Sequence, residues 1–104
     1  MKKEFVVYFE KNEDVLTVRP TARLDAAAAG EFARQLMTKL DDVNRIVIDF
    51  SQVDYISSAG LRVLLTAHTT MAKKNGMKIL HVNEEIMDSF AVTGLAKVLN
   101  VVQG

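Results

Sequence analysis

Two short β-branched runs, Arg45-Ile46-Val47-Ile48-Asp49-Phe50 and Met77-Lys78-Ile79-Leu80-His81-Val82, flank a stretch with helical periodicity. This alternation constrains the fold more than any other feature of the chain. Two strands of one sheet joined by a crossover helix pair in parallel with a right-handed connection. The crossover helix is expected to begin at Ser57 or Ser58 and to end at Asn75-Gly76, with Leu61, Leu64, Leu65, His68 and Met71 or Ala72 on one face. Lys73 and Lys74 suit the negative end of a helix, and Gly76 tolerates the left-handed conformation that stops one. A second strand–helix–strand unit covers 77–102. Its helix has Asn83 as cap, runs from Glu84 to about Thr93 with Ile86, Met87 and Phe90 inward, and stops at Gly94. One more turn over Leu95–Val98 and a last strand over Leu99–Val102 complete it.

The first half opens differently. Phe5–Phe9 and Val15–Val18 read as strands joined by a polar turn, Glu10–Asp14, which gives an antiparallel hairpin ending at Pro20. Ala22-Arg23-Leu24 adds a brief extended piece. Asp25 then precedes Ala26-Ala27-Ala28-Ala29, an N-cap acceptor followed by the strongest helix formers. Ala29, Phe32, Ala33, Leu36 and Leu40 carry the apolar stripe of this helix, which is expected to reach about Asp41. Ser51–Ser57 reads as a connecting loop. The expected architecture is α/β, one domain over 1–104. Its mixed sheet has an opening antiparallel hairpin and parallel strand–helix–strand units, with helices mainly on one face.

Composition removes several function classes. The 104 residues include no cysteine, so disulfides, cysteine-ligated metals and thiol chemistry are excluded. Basic and acidic residues balance at 13 each, and neither half of the chain is strongly basic, so no phosphate-backbone affinity and no nucleic-acid partner are expected. No apolar run approaches the ~18–20 residues of a bilayer span, and the Phe5–Phe9 run is too short for a signal-peptide core. A cytoplasmic protein without membrane insertion is expected. His68 is expected as a core or boundary histidine with a satisfied ring. His81 has no histidine or acidic neighbour at metal-ligand spacing, so neither a metal nor another cofactor is expected. Neither GxGxxG nor GxxxxGK[ST] occurs.

The informative segment is Val53-Asp54-Tyr55-Ile56-Ser57-Ser58-Ala59-Gly60-Leu61-Arg62. It places two serines where a helix opens after a strand, with small residues keeping their surroundings open. Either serine serves as N-cap, which is the ordinary role of serine there. The functional alternative is an accessible serine hydroxyl at this helix start, where an attached phosphate suits the positive helix end. A catalytic serine needs a base in reach. His68 lies ~10 residues, or ~15 Å, down the same helix, so no catalytic residue and no enzyme are expected.

Across its whole length the chain resembles STAS domains of the anti-sigma factor antagonist type. Ser57-Ser58-Ala59-Gly60-Leu61 lies at the family's Asp-Ser-Ser/Thr-Gly-Leu signature. Leu24-Asp25 lies before the first helix, Ile46–Phe50 at the central strand, and Asn75-Gly76 and Thr93-Gly94-Leu95 at the later turns. The resemblance implies a protein switch. Such proteins bind an anti-sigma factor serine kinase and thereby free a sigma factor. The kinase phosphorylates the serine two residues before the glycine, and a PP2C-type phosphatase reverses this. That serine is Ser58, with Ser57 as the alternative acceptor. Asp25, Ser57, Ser58, Ala59, Gly60, Leu61 and Arg62 are the implied partner-binding residues. The chain departs from the pattern in having Ser57 where most phospho-switch members have Asp, Ala59 in place of Ser or Thr, and Ala22 in place of a common Gly. The alternative reading is a STAS subunit of a transport or signalling assembly that binds constitutively, without a phosphorylation cycle.

Overall fold

A computed structural model describes residues 5–102. Strands β1 (Val7–Asn12) and β2 (Val15–Pro20) form the antiparallel hairpin, closed at Asn12↔Val15 by Glu13-Asp14, with Glu13 in the left-handed region at φ 59°. The turn is thus shorter than the expected Glu10–Asp14. Glu10, Lys11 and Asn12 continue the strand because it is an edge, where polar side chains face water and discourage further pairing. Thr21 then ties back to Val6, its amide and hydroxyl each donating to the Val6 carbonyl at 2.9 Å.

Ala22 turns the chain out of this sheet with φ 64°. That conformation is the physical reason a glycine is at home there, and alanine holds it at a cost. Strand β3 (Ala22–Leu24) follows, then helix α1 (Ala26–Met37). The helix stops before the expected Asp41. Asp41 and Asp42 would place two negative charges on its negative end. Strand β4 (Arg45–Asp49) forms as expected.

The expected loop over Ser51–Ser57 is corrected. Val53–Ile56 is a strand, β5, paired in parallel with β3 as a separate two-stranded sheet. Only four residues long, with exposed Asp54 and Tyr55 between buried Val53 and Ile56, it has no periodicity of its own to reveal it. Its partner lies 31 residues away at Ala22↔Val53.

Helix α2 (Ser58–Met71) ends four residues before the expected Asn75. The chain closes through Gly76 at φ 94°, whose amide donates to the Met71 carbonyl at 3.1 Å. Lys74 is recruited elsewhere. Its ammonium donates to the carbonyls of Leu40 at 2.5 Å, Val43 at 2.9 Å and Asp41 at 3.2 Å, locking the α1–β4 connection. Strand β6 (Met77–Leu80), helix α3 (Glu84–Thr93), a 3-10 turn (Leu95–Lys97) and strand β7 (Val101–Val102) complete the order. Gly94 caps α3 at φ 80°.

The main sheet runs β1-β2-β4-β6-β7, with every pair after the hairpin parallel. Leu16, Val18, Ile46, Ile48, Met77 and Ile79 point from its inner face into a core closed by Phe32, Leu36, Leu64 and Met71. The outer face carries Tyr8, Arg19 and Lys78, exposed to solvent.

The buried face of α2 is rotated from the expected one. Gly60, Leu61, Val63, Leu64, Ala67 and Met71 are buried, whereas Leu65 is 39% exposed and Ala72 is exposed. His68 lies at the boundary, but its ring is not satisfied: Nδ1 is shielded from solvent with no hydrogen-bond partner.

Candidate functional site

Pairing of β3 with β5 brings two strand-to-helix joints side by side. Leu24 is opposite Ile56, and the Ser57 amide donates to the Leu24 carbonyl at 2.9 Å. Both joints leave their strands in extended conformation, Asp25 at φ −77°, ψ −174° and Ser57 at φ −89°, ψ 171°. Asp25 Oδ1 accepts the Ala28 amide at 2.9 Å, and Ser57 Oγ accepts the Gly60 amide at 3.2 Å. Each is therefore the N-cap of its helix, which removes one of the unpaired amides every helix start exposes.

The geometry shows which of the two serines caps the helix. Ser57 is half-buried and its oxygen is engaged. Ser58 is the first helical residue, is exposed, and among the described residues its hydroxyl makes no hydrogen bond. Among the described residues no base hydrogen-bonds to it either.

Gly60 explains how close the joint is packed. A Cβ at this position would lie 2.7 Å from Ile56 Cγ1 and 3.2 Å from Leu24 Cγ and Cδ2. Glycine lets α2 start directly against both strand ends. Gly60 and Leu61 are buried beneath Ser58, and Leu61 lines part of the groove beside it.

At 3.6 residues per turn, Ser58, Arg62, Leu65, Thr66 and Thr69 lie along one exposed side of α2. Arg62 is its single charge. Thr66 and Thr69 donate their hydroxyls to the Arg62 and Leu65 carbonyls, each at 3.0 Å. The threonines are thus satisfied by the helix itself and present a stiff, uncharged surface. A groove lies on either side of this stripe. The one toward α1 is lined by Ala26, Gly30, Ala33, Met37, Ala59 and Arg62. The one toward α3 is lined by Ser57, Ser58, Leu61, Asp88 and Val92, of which Val92 is 87% exposed.

Asp25 does not share either groove with Ser58. It lines a neighbouring hollow with Phe5, Arg23, Glu31 and Asp54. The Arg23 guanidinium lies 4.2 Å from the centre of the Tyr55 ring, bridging that hollow to β5.

A polar cluster invisible in the local sequence lies at the end of β4. Asp49 accepts from His81 Nδ1 at 2.9 Å, from the Ser51 amide at 2.9 Å and from Arg19 Nε at 3.3 Å. Burial pushes the Asp49 carboxyl up, but the hydrogen bonds from His81, Ser51 and Arg19 outweigh it and bring its pKa down to about 2. His81 thus has an acidic partner, 32 residues away. Among the described residues no group of three or more His, Asp or Glu is placed to hold a metal ion. No described helix is long and apolar enough to cross a membrane.

Comparison with known proteins bears on this arrangement. BtrV of Bordetella bronchiseptica, named as an anti-sigma factor antagonist, is 29% identical over 80 residues, covering 75% of this chain and 69% of that protein. The crystal structure of an anti-sigma factor antagonist from Mycobacterium paratuberculosis superposes with a TM-score of 0.85 at 20% identity, covering 97% of this chain and 87% of that one. SpoIIAA of Bacillus in its phosphorylated form superposes with a TM-score of 0.73 at 17% identity, covering 94% and 92%. At these identities the two structures speak for the fold. The STAS domain family matches the sequence itself over residues 7–103, and with the hairpin, the parallel strands and the three helices all in place, the chain belongs to that family.

Proposed function

We propose that this protein is an anti-sigma factor antagonist switched by phosphorylation of Ser58. In the unphosphorylated state the exposed side of α2 binds an anti-sigma factor that is also a serine kinase, and the sigma factor is released. In the kinase step the Ser58 Oγ–P bond forms as the bond between the γ-phosphorus of ATP and its ADP oxygen breaks. The hydroxyl proton passes to a base of the kinase, and a PP2C-type phosphatase later hydrolyses the phosphoester. The observation that carries this reading is the division of labour at the joint, where Ser57 holds the cap and leaves the Ser58 hydroxyl free and exposed. Ser57 also performs the capping that the usual Asp would perform, so the departure at that position leaves the helix start intact.

The switch acts at the surface. A phosphate adds about −1.5 to −2 charges at pH 7. At the first residue of a helix that charge is favourable, so it leaves α2 folded.

Phosphopeptide mass spectrometry on protein from its own cells, in growth and in stress, tests the proposal. Trypsin releases residues 46–62 as one peptide containing Ser51, Tyr55, Ser57 and Ser58. Phosphate is expected on Ser58, changing with condition. Phosphate on Ser57 moves the site, and no phosphate under any condition replaces the switch with constitutive binding.

A further inference from the structure

Ser58 and Arg62 are separated by one helical turn on the exposed side of α2, and residues at this spacing hold their Cβ atoms about 5–6 Å apart. Arg62 is exposed and makes no ion pair among the described residues. Arg62 lines the α1–α2 groove, whose other lining residues, among them Gly30, Ala33 and Ala59, carry no charge. A free, planar, always charged donor fork therefore stands one turn from the proposed phosphate.

We propose that phosphoserine at position 58 is held in cis by Arg62. This rests on the reading of Ser58 as the acceptor and adds how the modification is read. Before phosphorylation the stripe presents one positive charge, available to an acidic group of the partner. Afterwards the guanidinium turns from the groove to the phosphate, the cation is withdrawn, and the same stripe carries about one net negative charge. Phosphorylation thereby removes an attraction and adds a repulsion with no change of backbone. The charged groups facing the phosphate from the packed elements are few. Asp88 of α3 shares its groove, while Asp25 at the α1 cap, Glu31 of α1, Asp54 of β5 and one cation, Arg23 of β3, line the neighbouring hollow. These carboxylates raise the second pKa of the phosphate and Arg62 lowers it, so that pKa reads which group the phosphate is near.

The test is a phosphorus NMR titration at low ionic strength of the full chain with phosphoserine installed at position 58 during translation. Because no kinase is involved, its outcome is separate from whether cells phosphorylate Ser58. Arg62→Gln is expected to raise the second phosphate pKa by about 0.3, the size implied by a helical one-turn ion pair, and Arg62→Lys to raise it less. The Arg62 side-chain N–H resonances are expected to move on phosphorylation. An unchanged pKa in Arg62→Gln overturns the clamp. So does a large drop in Asp88→Asn with no response at position 62, which would place the phosphate in the α3 groove instead.

Discussion

The two strand-to-helix joints are built on one plan and end in different chemistry. In each, a buried aliphatic residue closes the strand, an extended cap follows, and the cap oxygen takes the amide three residues on: Asp25 to Ala28, Ser57 to Gly60. After Asp25 come only alanines. After Ser57 comes Ser58, with its hydroxyl unused, and then Gly60, with no Cβ where none fits. The cap is thus a general stabilising device shared by both. What distinguishes the second joint is the group left over once the cap is satisfied and the close packing that fixes where that group points.

Exchanging the third helical residue of the two joints should break the comparison most strongly. Helix propensity alone would make Gly60→Ala stabilising by about 1 kcal/mol. The 2.7 Å approach to Ile56 Cγ1 reverses the sign, and a net loss of about 1–3 kcal/mol is expected in urea unfolding. Ala28→Gly, at the equivalent place in α1, should lose about 1 kcal/mol through chain entropy and a small buried methyl. A stabilising Gly60→Ala would show that packing is not the reason for the glycine.

A third strand end sharpens the contrast, because there the carboxylate is held in part by side chains from far along the chain, Arg19 of β2 and His81 just beyond β6. The Asp49 pKa falls from 3.8 to about 2 on folding, so its contribution is complete above 3.8 and is lost as pH falls toward 2. That difference corresponds to about 2 kcal/mol at most. Stability measured between pH 5 and 2 should therefore fall less steeply in Asp49→Asn, which should also be less stable near pH 7. An unaltered slope would assign the acid sensitivity to other carboxylates.

These three ends also show what was legible in the sequence. Asp25 and Asn83 could be read as caps because a cap and its helix are local, and the alternation of strands and helices from 45 onward gave the parallel order. Strand β5 could not be read, since it exists only through β3, far upstream. The Asp49–His81 pair and the Lys74 carbonyl cage were hidden for the same reason, each joining residues more than 30 positions apart. Leu65 was misplaced because α2 offers apolar residues on more than one side, and the burial of Gly60, Leu64, Ala67 and Met71 decides the phase. At the site, the pair of serines and Gly60 were visible, but which serine caps required the Ser57 Oγ to Gly60 amide contact.

The smallest effect on stability is the most informative about the second joint. Ser57→Ala removes a neutral cap bond of 3.2 Å and should cost about 0.5–1 kcal/mol. Ser58→Ala removes a hydroxyl with no partner among the described residues and replaces it with a better helix former, so stability should stay within about 0.5 kcal/mol of the parent. Phosphorylation by the cognate kinase should invert this ranking, lost in Ser58→Ala and retained in Ser57→Ala. Both quantities can be measured on the same two proteins, by urea melts and by phosphate incorporation. If each serine proves to govern stability and phosphorylation together, the division of labour at this joint is wrong. If the two responses separate as expected, the stability cost and the loss of the phospho-acceptor fall on adjacent residues of one helix start. That separation would let Ser58 change chemically while the fold around it stays fixed.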